Sequence, residues 1–338
     1  MNSVDELKNK LNYIKGKTIA IVYIFEGDNS SGFSHFFIWK SNIITKWMNA
    51  VQELHCLPLV LDVRTFIDKA INNTLPHIDY VLNLNSGTND LSSMALVPAT
   101  CSAIGTPCIP CNAVSIVTGE NKLLSNLIAY GSGLNVPNTL SDNDENGIFR
   151  PINLGNSMGV TRGINKNYKY GLYQQFIQGY DITTPIVYNP ITAKMDLLPT
   201  VMYLPQKRNI DWFNGENEKK TRSGYDFKII ELDEKTKKHY LQFVDTISVN
   251  TFCRIDSRVE CFDEDYYHNA NSDVFFNNVK FIEINVMPTI RDNNNFDYSF
   301  KSIDMSSPFY DIVKCQCEIF GNINVYNFLL ASSMLSYC

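Results

Sequence analysis

Three short apolar runs near the N-terminus, residues 18–25 (TIAIVYIF), 57–63 (LPLVLDV) and 80–87 (YVLNLNSG), constrain the fold of this chain more than any other feature. Each reads as a buried strand. Helical stretches flank them, at 4–13, at 34–54 with Trp39 and Trp47, and at 65–72. Strand, loop, helix and next strand in repetition predict an α/β unit built on a parallel sheet. Ligands in such sheets bind beyond the carboxyl ends of the strands. The loops at Glu26 and Asn85 are therefore the expected mouth of a site.

At 338 residues the chain has room for two or three domains. Twenty-nine Lys and Arg against 35 Asp and Glu give a net charge of −6, which argues against general affinity for nucleic acid. The first 17 residues are charged and amphipathic and lack the apolar centre of a signal peptide. No stretch approaches the roughly 20 apolar residues of a membrane span. These features predict a cytoplasmic protein whose nine cysteines are reduced thiols.

Beyond residue 100 the pattern turns from repeated α/β to strand-rich. Residues 101–111 read as a loop and short strand, 119–131 as a helix closed by glycine, and 134–140 as an edge strand. Residues 147–160 read as strand, glycine loop, strand, and 173–189 as two strands with a turn at Gln178-Gly179. A loop at 209–224 precedes a helix at 234–248, strands at 251–259 and 279–286, and helices near 307–320 and 325–335. The segment 261–279 reads as an extended hairpin.

Residues 281–288, FIEINVMP, alternate so that Glu283 and Asn285 share one strand face and Ile282, Ile284 and Val286 the other. Two hard oxygen ligands so placed make half a Mg²⁺ site. Asp256 in FCRID offers a third ligand, with Arg254 on its strand face. A divalent ion beside an arginine suits neutralisation of phosphate and of developing negative charge. The competing reading is a set of exposed polar positions on edge strands. The loop 153–160, NLGNSMGV, can cradle phosphate on its backbone N–H groups, although a plain hairpin turn has the same composition. Arg150 enters that loop and Lys122 opens a helix; either could equally be a solvated surface cation. Cys108 and Cys111 form a C-x-x-C, but no second pair or nearby histidine completes a zinc site.

In order and spacing these pieces resemble the ATP-grasp superfamily, and within it the D-alanine–D-alanine and amino-acid ligases, over about residues 18–288. The E-x-N strand with its proline is similar to Glu283, Asn285 and Pro288. The G-R-x-D strand is similar to CRID, with Arg254 and Asp256. The K-P strand and G-S-S-x-G loop are similar to Arg150-Pro151 and GNSMG, with Asn156, Ser157 and Met158. The lysine that starts a helix after a G-[IL]-P turn looks like Lys122 after IGTPCIP. The strand that carries the base and ribose contacts looks like YQQFIQGYDI.

The resemblance implies an α/β, three-lobed ATP-grasp fold. Its lobes are an N-terminal substrate domain at 1–117, a small central lobe at 118–173 and a C-terminal lobe with the metal site at 174–338. It implies ATP and two Mg²⁺ ions, held by Asp256, Glu283 and Asn285. Gln174 falls at the base edge, Phe176 and Ile177 clasp the base, Asp181 meets the ribose, and Lys219 or Lys220 stands where a loop supplies a lysine to the phosphates. Arg254, Ser157 and Glu26 form the implied catalytic set, with Arg254 on the tetrahedral oxyanion and Glu26 also where a substrate ammonium is held. Asn85, Arg291 and Asp292 complete the substrate wall, Arg291 for a carboxylate and Asp292 for an amine.

The implied reaction joins a small-molecule carboxylate to an amine through an acyl phosphate, and the implied assembly is a homodimer. Several positions depart from the family. Arg150 replaces a lysine and Gln174 a carboxylate. The acidic wall loop becomes NSGTNDLSS, and TIRDNNNFDYSF shows no glycine turn for a second substrate's carboxylate. These departures favour a specialised amino-acid ligase. A cell-wall D-alanine–D-alanine or D-alanine–hydroxy acid ligase and a non-catalytic nucleotide-binding protein remain as alternatives.

Overall fold

The computed structural model describes residues 3–25, 39–87, 91–141, 146–155, 157–163, 167, 170–215, 218, 221, 223–269 and 271–338. It opens with α1 (Ser3–Tyr13), β1 (Thr18–Tyr23), α2 (Ser41–Glu53), β2 (Leu57–Asp62), α3 (Val63–Ile71) and β3 (Tyr80–Leu84). Then come α4 (Leu91–Met94), α5 (Leu96–Ile104), β4 (Cys108–Ile109), α6 (Ala113–Glu120) and α7 (Lys122–Gly131). The four strands form the predicted parallel sheet in the order β2-β1-β3-β4.

Alternation along β1 divides the core. Ile19 and Ile21 face Trp47 and helices from both ends of the chain, whereas Ala20 and Val22 face Phe66 and Val97. The last helix, Val325–Leu335, is buried along all eleven residues and packs on the first face, although it lies some 300 residues from β1. Asn324 starts it with a reciprocal capping box to Asn327. Tyr337 Oη donates to Cys108 O at 2.7 Å, and Lys8 pairs with Glu318 at 2.7 Å, tying the C-terminal segment to the first sheet.

The rest of the chain builds two further sheets. β5 (Gly147–Pro151), β6 (Thr161–Arg162) and β7 (Gly171–Gln175) form a small antiparallel sheet. The large sheet contains β8 (Gly179–Asn189), β9 (Lys194–Leu197), β10 (Thr200–Pro205), β11 (Tyr225–Leu232), β12 (Phe252–Glu260), β13 (Asp273–Val274) and β14 (Val279–Asn285). Its order is β13-β11-β10-β8-β12-β14, with β9 beside β8. The helix Glu234–Thr246 packs beneath it through Tyr240, Phe243 and Val244, capped by Asp233. Residues 176–178 carry the chain from the small sheet to the large one. Gly179 begins β8 at φ 137°, and a Cβ there would meet the Val259 carbonyl oxygen at 1.9 Å.

Some expectations are corrected. Residues 101–104, expected in a loop, end a helix over Leu96–Ile104, with Pro98 in its first turn and Gly105 at φ 70° closing it. The helix expected at 119–131 is two helices that share Asn121, the C-terminal cap of α6 and the N-cap of α7. Residues 134–140 make a single bridge, Thr139 to Gln174, because Pro137 offers no N–H to a ladder. The segment 261–279 is not a hairpin; it turns at 264–269, and its short β13 lies parallel to β11. A helix, Asn295–Lys301, follows the asparagine run. Among the described residues no helix is long and apolar enough to cross a membrane.

Candidate functional site

β12 and β14 run antiparallel with Arg254 opposite Asn285 and Asp256 opposite Glu283, while Ile255 and Ile284 turn into the core. The four polar side chains therefore share one face, as their sequence spacing predicts. Arg254 forks onto Asp256 through Nε at 2.9 Å and Nη2 at 2.7 Å. Asn285 Nδ2 donates to Asp256 at 2.8 Å, and the Thr183 hydroxyl also donates to it. Burial disfavours the Arg254 charge, but Asp256 outweighs it and holds the guanidinium firmly protonated. Among the described residues no three His, Cys, Asp or Glu side chains gather round a point; the third oxygen donor here is the Asn285 amide.

Past Asp256 the ladder slips by one residue, leaving Ile282 as a bulge. Its carbonyl, freed from the ladder, accepts Arg150 Nη1 at 2.9 Å and Asn126 Nδ2 at 3.1 Å. Arg150 is buried, and its other arm bonds the Gln174 oxygen. The Gln174 amide donates onward to Asn126 at 3.2 Å and Pro137 O at 3.1 Å. The two family departures are thus one unit: guanidinium and carboxamide hold each other at the wall of the slot described below. Arg150 is not the solvated strand cation of the bland reading.

Lys122 is also buried. Its ammonium donates to Leu154 O at 2.6 Å and lies 3.7 Å from Glu283, so it links the glycine loop to the carboxylate face. Ser157 sits in that loop at φ 56°, and its hydroxyl donates to Asn214 O at 3.2 Å across the slot. The Met158 N–H bonds to Gly155 O within the turn rather than pointing outward. Asp181 accepts Arg258 Nη1 at 2.7 Å and the Asn214 N–H at 2.7 Å. Asn156, Lys219, Lys220 and Glu26 lie outside the described residues.

Two connected cavities meet at this face. The inner slot is lined by Lys122, Arg150, Gln174, Phe176, Ile177 and Asp181, among others. Arg162 and Arg258 lie over the Phe176 ring at 3.7 and 4.8 Å. The outer cleft, about 430 Å³, runs between Trp39, Ser86 and Met94 of the first unit and Tyr203, Phe227 and Arg291 of the large-sheet unit. Tyr203, Asn214, Arg254 and Glu283 border both.

The cleft lies beyond the carboxyl end of β3, as expected, but Asn85 is not on its wall, and the loop at Glu26 lies outside the described residues. Asn85 is buried, donating to Ser93 O at 2.6 Å and accepting the Gly87 N–H, and the neighbouring Ser86 lines the cleft instead. Arg291 does line the cleft, whereas Asp292 is exposed and pairs with Lys46. The segment has no glycine turn, but the chain does turn there: Asn293 adopts φ 56°, and Asn294 caps the following helix.

Sequence reasoning missed several residues of the site, Arg258 and Glu120 among them. Arg258 binds the carbonyls of Ile177, Gly179, Ile210 and Trp212 besides Asp181, fastening the slot's floor. Its signal was the two-residue step from Arg254 and Asp256. Glu120, beside Lys122 in sequence, is on the cleft wall. Burial and the Glu283 charge push its carboxyl up to about 7, against the pull of Lys122. Gly119 lets α6 approach β14, since a Cβ there would meet Val286 at 2.6 Å.

No family model and no curated protein matches the sequence. Solved structures do. A D-alanine–D-alanine ligase from Bacillus anthracis complexed with ATP is 15% identical over 90% of this chain and 99% of that one, at a TM-score of 0.57. D-alanyl-alanine synthetase A from Vibrio cholerae is 13% identical over 90% of this chain and 99% of that one, at 0.58. An L-amino acid ligase from Bacillus licheniformis is 13% identical over 95% of this chain and 74% of that one, at 0.52. The chain has the ATP-grasp fold that these proteins share.

Proposed function

We propose that the chain is an ATP-dependent carboxylate–amine ligase that forms an amide bond, and within that class a specialised amino-acid ligase. The observation that carries this reading is the junction of slot and cleft at Arg254 and Glu283. A nucleotide in the slot and an acid in the cleft meet there, beside buried cations. Phe176 and Ile177 offer the base an apolar wall, and Lys122 and the Ser157 turn face the phosphates.

Asp256, Glu283 and Asn285 fit Mg²⁺ by chemistry, being two carboxylates and one amide oxygen on one face. Bound there, Mg²⁺ would offset phosphate charge during transfer. The acid's carboxylate attacks the γ-phosphorus and ADP departs; the amine then attacks the acyl carbon and phosphate departs. Arg254 donates to the oxyanion of that second step, which requires its fork on Asp256 to open. Glu120, titrating near neutrality on the same wall, accepts the proton of the attacking amine.

The reading is tested by phosphate release from Mg·ATP across L- and D-amino acids, singly and in pairs, with mass spectrometry of the products. Release that needs a particular pair, with a product one water lighter than their sum, establishes the ligase. No release with any pair, despite ATP binding, removes it.

Two variants refine the assignment. Glu120→Gln should lower kcat/KM by roughly 10²-fold, as for loss of a general base. In the parent enzyme the rate should fall with pH as the Glu120 carboxyl, pushed up mainly by burial, takes up its proton. That acid limb should vanish in the variant, and an unchanged pH profile would reject the role. Arg291→Ala should raise KM for an amino-acid substrate more than for ATP. An effect on ATP alone would move Arg291 to the nucleotide.

A further inference from the structure

One wall of the outer cleft is aromatic. β10 and β11 pair with Tyr203 opposite Phe227 and Pro205 opposite Tyr225, so Tyr203, Tyr225 and Phe227 project from one face. Their centroids are 5.2 Å apart for Tyr203–Phe227, 5.2 Å for Tyr203–Tyr225 and 5.6 Å for Tyr225–Phe227. Trp212 supports Tyr225 at 5.8 Å and Tyr298 supports Phe227 at 5.3 Å, which fixes the cluster from two sides. All three cleft rings are only half-buried and all three line the cavity. The cavity's other side adds Trp39, Ile43 and Met94.

Rings left partly exposed on one wall of a cleft, facing the buried Trp39, Ile43 and Met94, forgo burial that an occupant could supply. Two methyl-bearing amino acids in the cleft would leave the rings wet. The cleft also carries polar groups an amino acid needs: Arg291 for a carboxylate and Glu120 for an amine. The wall is wired to the reacting face. Asn295 Nδ2 donates to Tyr203 Oη at 2.7 Å and to Thr183 Oγ1 at 3.3 Å, and Thr183 donates to Asp256. A ring seated on Tyr203 thus lies one hydrogen-bonded chain from the proposed metal carboxylate.

We infer that one substrate is an amino acid with an aromatic side chain, seated on the Tyr203–Tyr225–Phe227 wall; this rests on the ligase reading above. The test separates the two. Saturation-transfer difference NMR on the full chain, without ATP, measures binding of L- and D-phenylalanine and of L- and D-alanine. One phenylalanine enantiomer should bind at least tenfold more tightly than either alanine. Phe227→Leu, which keeps an apolar side chain against Tyr298, should weaken it by roughly tenfold. Tyr225→Leu provides the same comparison if the first variant melts.

Equal binding of alanine and phenylalanine, no binding of phenylalanine, or binding indifferent to both substitutions would overturn the inference and leave the rings as ordinary cross-strand packing. Tight phenylalanine binding with no phosphate release from any pair would keep the ring site and remove the ligase reading. Turnover with alanine pairs but not with phenylalanine would do the reverse.

Discussion

Glu283→Gln is expected to abolish ATP-dependent turnover while the protein stays folded. The substitution keeps side-chain volume and removes one negative charge from the face where Asp256, Glu283 and Asn285 meet. A loss of at least ~10³-fold, about 4 kcal/mol of transition-state stabilisation, is what removing a charged Mg²⁺ ligand should produce. The fold should tolerate the change. The Glu283 side chain is 24% exposed, its pair with Lys122 is long at 3.7 Å, and Lys122 keeps its bond to Leu154 O. A partly exposed pair of that kind contributes about 1 kcal/mol or less. Circular dichroism melts should therefore shift by only a few °C, while phosphate release stays at background across a Mg²⁺ titration. Recovery of rate at high Mg²⁺ would show weakened affinity and keep the assignment. Full activity at ordinary Mg²⁺ would remove it.

That prediction rests on a part of the molecule that was legible in the sequence. Glu283, Asn285, Arg254 and Asp256 sit on strands whose two-residue alternation puts polar side chains on one face and Ile255 and Ile284 in the core, so the shared face follows from spacing, although Ile282, expected in the core, lines the slot at the bulge. The parallel sheet was legible for a similar reason: β1 and β3 are largely apolar, and only a sheet covered on both faces buries them.

What sequence reasoning could not see arises from irregularity. The bulge at Ile282 frees one carbonyl, and that carbonyl pulls Arg150 inward; no residue type in the strand announces a one-residue slip. Residues 101–104 read as loop because Pro, Gly and small residues crowd 101–111, yet they close the helix Leu96–Ile104, whose Pro98 sits where a first-turn N–H has no intrahelical acceptor. The turn at Asn293 was sought as glycine and made by asparagine. The return of the helix Val325–Leu335 to the first sheet is a contact across nearly the whole chain, and local pattern carries no information about it. Arg258 shares the strand face of Arg254 and Asp256, but its partners are mostly backbone carbonyls, so its role there was not legible.

Arg254→Ala should reduce amide formation by roughly 10²–10³-fold, the usual consequence of losing one donor to a developing oxyanion. Overall rate alone does not locate the step, because Arg254 borders the slot as well as the cleft. Trapping with hydroxylamine does. If Arg254 serves the tetrahedral oxyanion, acyl phosphate should still form in the variant, and hydroxamate should accumulate while the amide product is lost. If hydroxamate and product fall together, Arg254 acts on phosphoryl transfer instead. Arg254→Lys sharpens the comparison. It restores a charge but not the planar fork that now grips both Asp256 oxygens at 2.9 and 2.7 Å. Partial recovery of amide formation would mean that charge at the oxyanion dominates. No recovery would mean that the fork's geometry matters, with Arg254 acting as much by positioning Asp256 as by touching the substrate. Because Asp256 also takes hydrogen bonds from Thr183 and Asn285, it should stay placed when the fork is gone. The lysine variant can therefore separate the two roles without collapsing the site.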